Sequence, residues 1–370
     1  MTLASFYACT NCRRPYPETG APHRCLHCGG VFSLQGELAY TPPDDSQPGL
    51  WRYRASFGLP DSAEAIHLGE GNTPLVAGAA FGRRLAFKLE YLNPTGSYKD
   101  RGSAPLLSFL RSRGVTAAIE DSSGNAGASF AAYAARAAIA ARVFVPDSAS
   151  GPKRAQIEAY GAELVSILGP RSEAALAVQR AAEGGEVYAS HAYMPYGLPG
   201  IATIAYELYD QLGNQAPGCV IAPVGHGSLL LGIARGFEAL KAADLIERLP
   251  VLIGVQARAC APMWALSTQG PAGLAWVTEG QTLAEGVRVR QPVRGDELLR
   301  AVEATGGQFL AVDEVEIPPA RDALARVGLF VEPTSAIVWA GLGQLSTLAN
   351  FANFPEPIAL ILTGSGLKAL

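Results

Sequence analysis

The chain has 370 residues, of which 49% are hydrophobic and 17% are charged, and its formal net charge is −4. This composition supports a large folded core and argues against a disordered protein. The scattered Lys and Arg residues form no basic face for nucleic acid and no polybasic arm for a membrane surface. No apolar stretch of about 18 residues runs uninterrupted, which argues against a transmembrane helix. No secretory signal pattern follows Met1, so we expect a cytoplasmic protein of two or three structural units.

The first feature along the chain is a cluster of four cysteines, Cys9, Cys12, Cys25 and Cys28. Two residues separate the members of each pair and twelve separate the pairs, which is the spacing of a zinc ribbon. Four thiolates satisfy a tetrahedral Zn²⁺ and leave no open position, so the metal would be structural. Two disulfides or four free thiols are the alternative, which a reducing cytoplasm disfavours. We therefore predict a zinc-ribbon-like module over residues 1–40.

Residues 41–65 contain Pro42-Pro43-Asp44-Asp45 and are predicted to be a linker. From residue 66 onward, short apolar runs alternate with alanine-rich stretches of helical periodicity. The predicted strands are 85–89, 117–119, 142–145, 163–167, 219–222, 251–255 and 358–362. The predicted helices are 126–138, 153–159, 173–182, 201–212 and 229–243. This alternation predicts an α/β fold with doubly wound parallel sheets, in which ligands bind beyond the carboxyl ends of the strands.

Lys99 lies in the motif Asn93-Pro94-Thr95-Gly96-Ser97-Tyr98-Lys99-Asp100-Arg101-Gly102, between a predicted strand and a helical stretch. A helix N-terminus disfavours the cationic form of a lysine. The free amine that imine chemistry needs is then easier to produce. Without other evidence, a solvated surface lysine is the alternative interpretation.

Three further motifs follow predicted strands. In Asp121-Ser122-Ser123-Gly124-Asn125-Ala126-Gly127, small residues leave backbone N–H groups available to an anion, although a plain capping turn is the alternative. In Pro223-Val224-Gly225-His226-Gly227-Ser228-Leu229, two glycines and a serine at a helix start can form a phosphate nest. In Leu362-Thr363-Gly364-Ser365-Gly366, a hydroxyl could bind a heteroaromatic nitrogen, or the turn could simply cap a helix.

Together with Gly69-Glu70-Gly71-Asn72-Thr73-Pro74-Leu75 and Val331-Glu332-Pro333-Thr334-Ser335-Ala336, these motifs stand in the order found in the threonine synthase family. That family belongs to the fold-type II, tryptophan synthase β-like enzymes that depend on pyridoxal 5′-phosphate. The resemblance covers residues 66–370, and the cysteine knuckle resembles one found on some members. It implies two interleaved, doubly wound parallel-sheet domains, the smaller over roughly 100–205, and a homodimer.

The resemblance also implies a role for each matching residue. Lys99 would bind pyridoxal phosphate as a Schiff base and move protons as the catalytic amine. Asn125 would bind the 3′-oxygen of the cofactor, and Thr363, with Ser365 as the alternative, its pyridine nitrogen. The phosphate of the cofactor would be surrounded by Gly225, His226, Gly227, Ser228 and Leu229. The substrate carboxylate would be bound by Ser122, Ser123 and Gly124.

One stretch departs from the family pattern. Threonine synthases carry a segment resembling Asn-Pro-aromatic-Arg-aliphatic-Glu-Gly-Gln-Lys-Thr, whose polar residues help to bind the phosphate of O-phosphohomoserine. Here Met194 replaces the asparagine, Gly197 the arginine, Pro199 the glutamate and Ala202 the lysine. Losing the arginine removes charge-assisted hydrogen bonds of about 1.5–3 kcal/mol each. Arg154 or Arg288 could compensate.

Several functions therefore remain open at the level of sequence. The leading one is a threonine synthase-like lyase that converts O-phospho-L-homoserine and water to L-threonine and phosphate. The second is a paralogue acting on another amino acid, either a serine/threonine dehydratase or a β-replacement enzyme, which the apolar 194–202 stretch favours. A third is a cofactor-binding protein without turnover, against which Lys99 and Asn125 argue. Dinucleotide binding is disfavoured because no Gly-x-Gly-x-x-Gly turn follows a first strand.

Overall fold

The computed structural model describes residues 6–147, 151–169, 171–349 and 351–370. Within these residues the chain forms eleven strands. They are β1 (Tyr7–Cys9), β2 (Phe32–Leu34), β3 (Leu75–Ala80), β4 (Arg83–Lys88), β5 (Ala117–Glu120), β6 (Ala140–Pro146), β7 (Glu163–Ile167), β8 (Cys219–Pro223), β9 (Val251–Ala257), β10 (Gln308–Val312) and β11 (Ile358–Ile361). Every residue of β8 and of β11 is buried, as expected of central parallel strands.

The same residues form ten α-helices, many of them rich in alanine, which favours helix. They are α1 (Lys99–Ser112), α2 (Asn125–Arg136), α3 (Pro152–Ala159), α4 (Arg171–Glu183), α5 (Leu198–Gln211), α6 (Ser228–Ala242), α7 (Pro262–Gln269), α8 (Gly295–Ala304), α9 (Ile317–Arg326) and α10 (Pro333–Ser346). None of these helices is both long enough and apolar enough to cross a bilayer.

The first of two compact units comprises residues 1–71 and 93–200. Its main sheet has the order β5-β6-β7, and all three strands are parallel. Ile119 of this sheet packs with Phe144, Val178 and Tyr188 in a buried cluster. The N-terminal strands β1 and β2 form a separate antiparallel pair, so the cysteine-bearing segment is a small hairpin at the start of this unit.

The second unit comprises residues 72–92 and 201–370. Its six-stranded sheet has the order β10-β9-β8-β11-β4-β3, and every pair is parallel except β3 with β4. Leu360 of β11 aligns with Ile221 of β8 on one side and with Phe87 of β4 on the other. The carboxyl ends of these three neighbouring strands therefore lie side by side.

The predicted α/β fold with parallel sheets is confirmed, and every predicted strand and helix is present within a few residues of its predicted bounds. Strands β1, β2, β3 and β10 were not among the predicted strands. The sequence of β3 is Leu-Val-Ala-Gly-Ala-Ala, and no residue of this edge strand is buried, so it gives no hydrophobic signal. The segment predicted as a linker contains a short 3₁₀ helix, Gly49–Ser56, in which Leu50, Trp51 and Tyr53 are buried.

A buried ion pair anchors the second unit around the start of β3. Lys88 and Glu207 are 2.6 Å apart between Nζ and Oε2, and their side chains are 0% and 2% exposed. Lys88 Nζ also donates to Thr73 O at 2.7 Å, and Glu207 Oε1 accepts from Asn72 N at 2.7 Å. The pair therefore fixes the backbone of Asn72 and Thr73 from two sides.

We expect Lys88→Met to lower the free energy of unfolding by about 3–5 kcal/mol, because the buried Glu207 carboxylate loses its partner. Urea denaturation compared with Lys241→Met, at an exposed lysine, measures the effect. An unchanged unfolding midpoint for Lys88→Met would contradict the role of the ion pair.

Candidate active site

Lys99 is the first residue of α1, and a buried carboxylate next to it fixes the preceding loop. Asp100 Oδ2 accepts a hydrogen bond from Thr95 N at 2.7 Å, and Oδ1 accepts one from Thr95 Oγ1 at 2.6 Å. The Ser129 hydroxyl of α2 donates to the same Oδ1 at 2.6 Å. These bonds tie the start of α1 to the first turns of α2, where Asn125 stands one turn before Ser129.

The Lys99 side chain is half-buried, and its Nζ lies 5.0 Å from the centre of the Tyr98 ring. Its position at the first turn of α1 agrees with the location predicted from the sequence. In the same loop, Ser97 Oγ is buried and has no hydrogen-bond partner among the described residues. The loop therefore presents an amine and a buried hydroxyl at one helix N-terminus.

The Ser122–Asn125 turn connects β5 to α2 in the same unit. Ser122 Oγ accepts a hydrogen bond from Gly124 N at 3.2 Å. No side chain caps the start of α2, so N–H groups of its first turn have no partner from within the helix. Gly127 is required by close packing, because a Cβ there would overlap the carbonyl oxygen of Ser122. The turn thus has the backbone donors expected of a carboxylate site.

In the second unit, the predicted phosphate turn lies between β8 and α6. Gly227 has φ +96°, a left-handed conformation that favours glycine. His226 O accepts from Arg294 N at 3.2 Å, and Val224 N donates to Val255 O at 2.8 Å, so both sides of the turn are fixed. Ser228 Oγ is buried without a hydrogen-bond partner among the described residues.

Thr363 follows β11, the immediate neighbour of β8, so its backbone leaves the sheet beside the phosphate turn. Its N–H donates to Ser335 Oγ at 2.8 Å, while its own Oγ1 is buried and unpaired within the described structure. Ser365 Oγ instead accepts from Leu367 N at 3.3 Å and begins a short 3₁₀ helix. Of the two candidate hydroxyls, that of Thr363 is the one that is buried without any hydrogen-bond partner in the described structure.

Two acidic residues near these turns were missed by the sequence analysis. Asp100 is one, and Glu120, the last residue of β5, is the other. Glu120 Oε1 lies 2.8 Å from His191 Nδ1. Burial and the neighbouring Asp121 raise the pKa of Glu120, while Lys99 and Arg171 oppose this shift. The sequence signals were that Asp100 directly follows Lys99 and that Glu120 directly precedes the Asp121–Gly127 motif.

The stretch that departs from the family pattern is engaged in packing. Tyr196 stacks on Phe109 at 3.5 Å between ring centres, and Tyr16 Oη lies 4.0 Å from Met194 Sδ. A Cβ on Gly197 would lie 3.2 Å from Gly102 O, and one on Gly200 would overlap Arg101 O. The glycines of this stretch therefore permit close packing against α1.

The four N-terminal cysteines converge as predicted. Their sulfur atoms all lie within 4.8 Å of one another, with Cys9–Cys28 at 3.4 Å and Cys12–Cys25 at 3.6 Å. A disulfide needs an S–S distance of about 2.05 Å, so neither pair is bonded. Four sulfurs each about 2.3 Å from a central Zn²⁺ would be spaced by comparable distances. The two remaining cysteines, Cys219 and Cys260, are buried in the second unit.

Known protein sequences are similar to this chain over most of its length. The chain matches the family described as pyridoxal-phosphate dependent enzyme over residues 66–364. The threonine synthase of Methanocaldococcus jannaschii is 32% identical, with 97% of this chain and 92% of that protein covered. The threonine synthase of Synechocystis sp. is 36% identical, with 85% of this chain and 82% of that protein covered.

Solved structures of the same fold are also similar. A threonine deaminase from T.th. has a TM-score of 0.64 and 27% identity, covering 79% of this chain and 92% of that one. Maize serine racemase has a TM-score of 0.68 at 22% identity, covering 80% of this chain and 88% of that one, a likeness of fold alone. The fold is thus shared by enzymes with different reactions.

We expect Gly127→Ala to displace the Ser122 backbone and to destabilise the protein by about 1–3 kcal/mol through overpacking. Gly343→Ala in α10 is the matched control, since its nearest neighbour, Phe81, would be 4.0 Å away. That control should be neutral or slightly stabilising in thermal unfolding. Equal unfolding temperatures for the two variants would argue against the close packing at Gly127.

Proposed function

Because the chain belongs to the family of pyridoxal-phosphate-dependent enzymes, we propose that Lys99 and Asn125 bind this cofactor together with the 225–229 turn and Thr363. The supporting observation is that Ser228 Oγ and Thr363 Oγ1 are buried and unpaired within the described structure, beyond the ends of adjacent strands. Leaving such a group unsatisfied costs about 1–3 kcal/mol each, which a bound phosphate and a pyridine nitrogen would remove. The residues present therefore fit the group.

When bound, the cofactor supplies the electron sink for chemistry at the amino-acid Cα. The N–H groups of Gly225, His226, Gly227, Ser228 and Leu229, with the Ser228 hydroxyl, would bind its phosphate. The Asn125 amide would bind the 3′-oxygen. The Lys99 amine would hold the cofactor and transfer protons at the substrate Cα. Ser122, Ser123 and Gly124 would bind the substrate carboxylate through N–H groups and hydroxyls.

Thr363 sets the electronic character of the site in this proposal. A neutral hydroxyl bonded to the pyridine nitrogen does not hold that nitrogen protonated, as an aspartate would. Negative charge at Cα is then less strongly delocalised, which suits elimination and replacement reactions. Ser365 remains the alternative partner, although its hydroxyl already accepts a hydrogen bond from Leu367 N.

We propose that the reaction is that of a threonine synthase, in which O-phospho-L-homoserine and water give L-threonine and phosphate. The similarity to the Methanocaldococcus jannaschii threonine synthase, over 97% of this chain, carries this proposal. A second candidate is a serine/threonine dehydratase or β-replacement enzyme. The packing of Met194 and Tyr196 favours it, because these side chains are taken up by contacts with Tyr16 and Phe109.

Phosphate release from O-phospho-L-homoserine by the cofactor-loaded protein tests the proposal, with serine, threonine and O-phospho-L-serine in parallel assays. We expect phosphate and threonine in equal amounts, and no product from Lys99→Ala. Formation of a keto acid from serine or threonine, without phosphate release from O-phospho-L-homoserine, would favour the second candidate. Cofactor binding without turnover of any of the four would favour a binding protein.

We predict that Thr363→Val weakens cofactor binding or turnover by about 10-fold or more, since it removes a hydroxyl while keeping the side-chain shape. Ser365→Ala is the control and should change neither by more than about twofold. Titration of each apoprotein with pyridoxal phosphate, followed by absorbance, gives the comparison. The opposite ranking would assign the pyridine nitrogen to Ser365.

We further propose that the cysteine cluster binds one structural Zn²⁺, with Cys9, Cys12, Cys25 and Cys28 as its four ligands. Protein purified under reducing conditions should contain about one zinc per chain by elemental analysis, because four thiolates complete a tetrahedral site. Cys12→Ser should lose the metal, whereas Cys260→Ser should retain it. A metal-free wild-type protein that is fully folded would contradict this proposal.

We also propose that the protein is a cytoplasmic homodimer. The homodimer follows from the resemblance to fold-type II enzymes, and the reduced cysteine cluster agrees with a reducing compartment. Sedimentation of the cofactor-loaded protein gives its oligomeric state directly.

A further inference from the structure

His191 occupies the carboxyl edge of the sheet in the first unit. Residues 187–189 lie parallel to β5, with Ile119 N donating to Val187 O and Ala189 N donating to Ile119 O, both at 2.9 Å. The last of these bonds involves Ala189, two residues before His191, and β5 ends at Glu120, two residues before Ser122. Ligands of parallel sheets bind at this edge. His191 therefore emerges beside the Ser122–Asn125 turn.

A buried carboxylate holds the histidine. Glu120 Oε1 lies 2.8 Å from His191 Nδ1, and the Glu120 and His191 side chains are 1% and 21% exposed. Glu120 Oε2 is buried and has no hydrogen-bond partner among the described residues. A ring that donates Nδ1–H to Glu120 can also donate from Nε2 once it is protonated, and a bound anion favours that form. The ring presents Nδ1 to Glu120, which leaves Nε2 to point away from it.

The sequence after His191 contains few charged side chains. From position 191 to position 206 the chain contains no Lys, Arg, Asp or Glu, so His191 is the one basic side chain there. This is the stretch in which threonine synthases resembling the chain have an arginine and a lysine. Within this stretch Met194 contacts Tyr16, Tyr196 stacks on Phe109, and Gly197 and Gly200 lie against the first turn of α1.

We infer that His191, oriented by Glu120, binds the phosphate ester on the substrate side chain. This role of His191 rests on the proposed function. The substrate of that reaction carries a phosphate, which Gly197 and Ala202 have no side-chain group to bind. Glu120 is a positioning residue, since it acts through the imidazole.

The test measures binding of O-phospho-L-homoserine and of L-homoserine to the cofactor-loaded protein by isothermal titration, with every protein carrying Lys99→Ala so that the ligand is not converted. Protein that is otherwise wild type should prefer the phosphorylated ligand. His191→Asn should lower the affinity for O-phospho-L-homoserine by about 10- to 100-fold, the effect expected of a lost charge-assisted hydrogen bond. The affinity for L-homoserine should not change. Glu120→Gln should give a smaller loss of the same selectivity. His67→Asn, at another histidine of the first unit, is the control and should match wild type.

In turnover assays the KM for O-phospho-L-homoserine should rise in His191→Asn, while kcat changes by no more than about threefold. Equal weakening of both ligands, or no weakening of the phosphorylated one, would overturn the inference, as would a wild-type protein without preference for it. Should His191→Asn fail to fold, Glu120→Gln provides the same comparison. Selective binding through His191 without threonine formation would leave the inference standing and contradict the proposed reaction.

Discussion

Parallel pairing between neighbouring strands is the constraint on which the candidate site depends. In the second unit, β8 and β11 run side by side, so the phosphate turn and Thr363 leave the sheet together at its carboxyl edge. In the first unit, β5 delivers the Ser122–Asn125 turn to the corresponding edge, and Asp100 ties the start of α1 to α2. Within each unit, the pairing of strands and the packing of helices therefore bring together candidate residues that are far apart in the sequence.

Several buried polar groups in the candidate site have no hydrogen-bond partner in the described structure, although buried polar groups are normally paired. Ser97, Ser228 and Thr363 each have a buried hydroxyl oxygen without a partner in the described structure, and Glu120 has one such carboxylate oxygen. Native cores pair more than nine in ten of their buried polar groups, and a bound ligand is one way in which such groups obtain partners. The family match supplies one of suitable chemistry, with a phosphate and a heteroaromatic nitrogen.

The N-terminal hairpin contributes aromatic packing as well as its cysteines. Tyr7 and Tyr16 both contact Tyr196, whose ring stacks on Phe109 of α1. Arg24 donates to the Tyr193 hydroxyl at 2.7 Å and lies over the Tyr193 ring. The segment that departs from the threonine synthase pattern is therefore the one on which the hairpin packs.

The sequence was sufficient to predict the parallel α/β fold, because its buried strands are continuous apolar runs separated by amphipathic, alanine-rich helices. It also identified the Lys99 loop, the three turns and the cysteine cluster, since each has an ordered motif. It did not identify β3, whose small exposed residues carry no periodic signal, or the packed segment around Trp51. Asp100 and the Glu120–His191 pair were missed because their importance arises from burial and distant partners.

Borohydride reduction of the cofactor-loaded protein, followed by peptide mass mapping, tests the central claim most directly, because it fixes the cofactor to whichever lysine carries it. The sequence contains five lysines, Lys88, Lys99, Lys153, Lys241 and Lys368. The account predicts a phosphopyridoxyl group on Lys99 alone. Modification at one of the other four lysines, or at none, would contradict the assignment of the site.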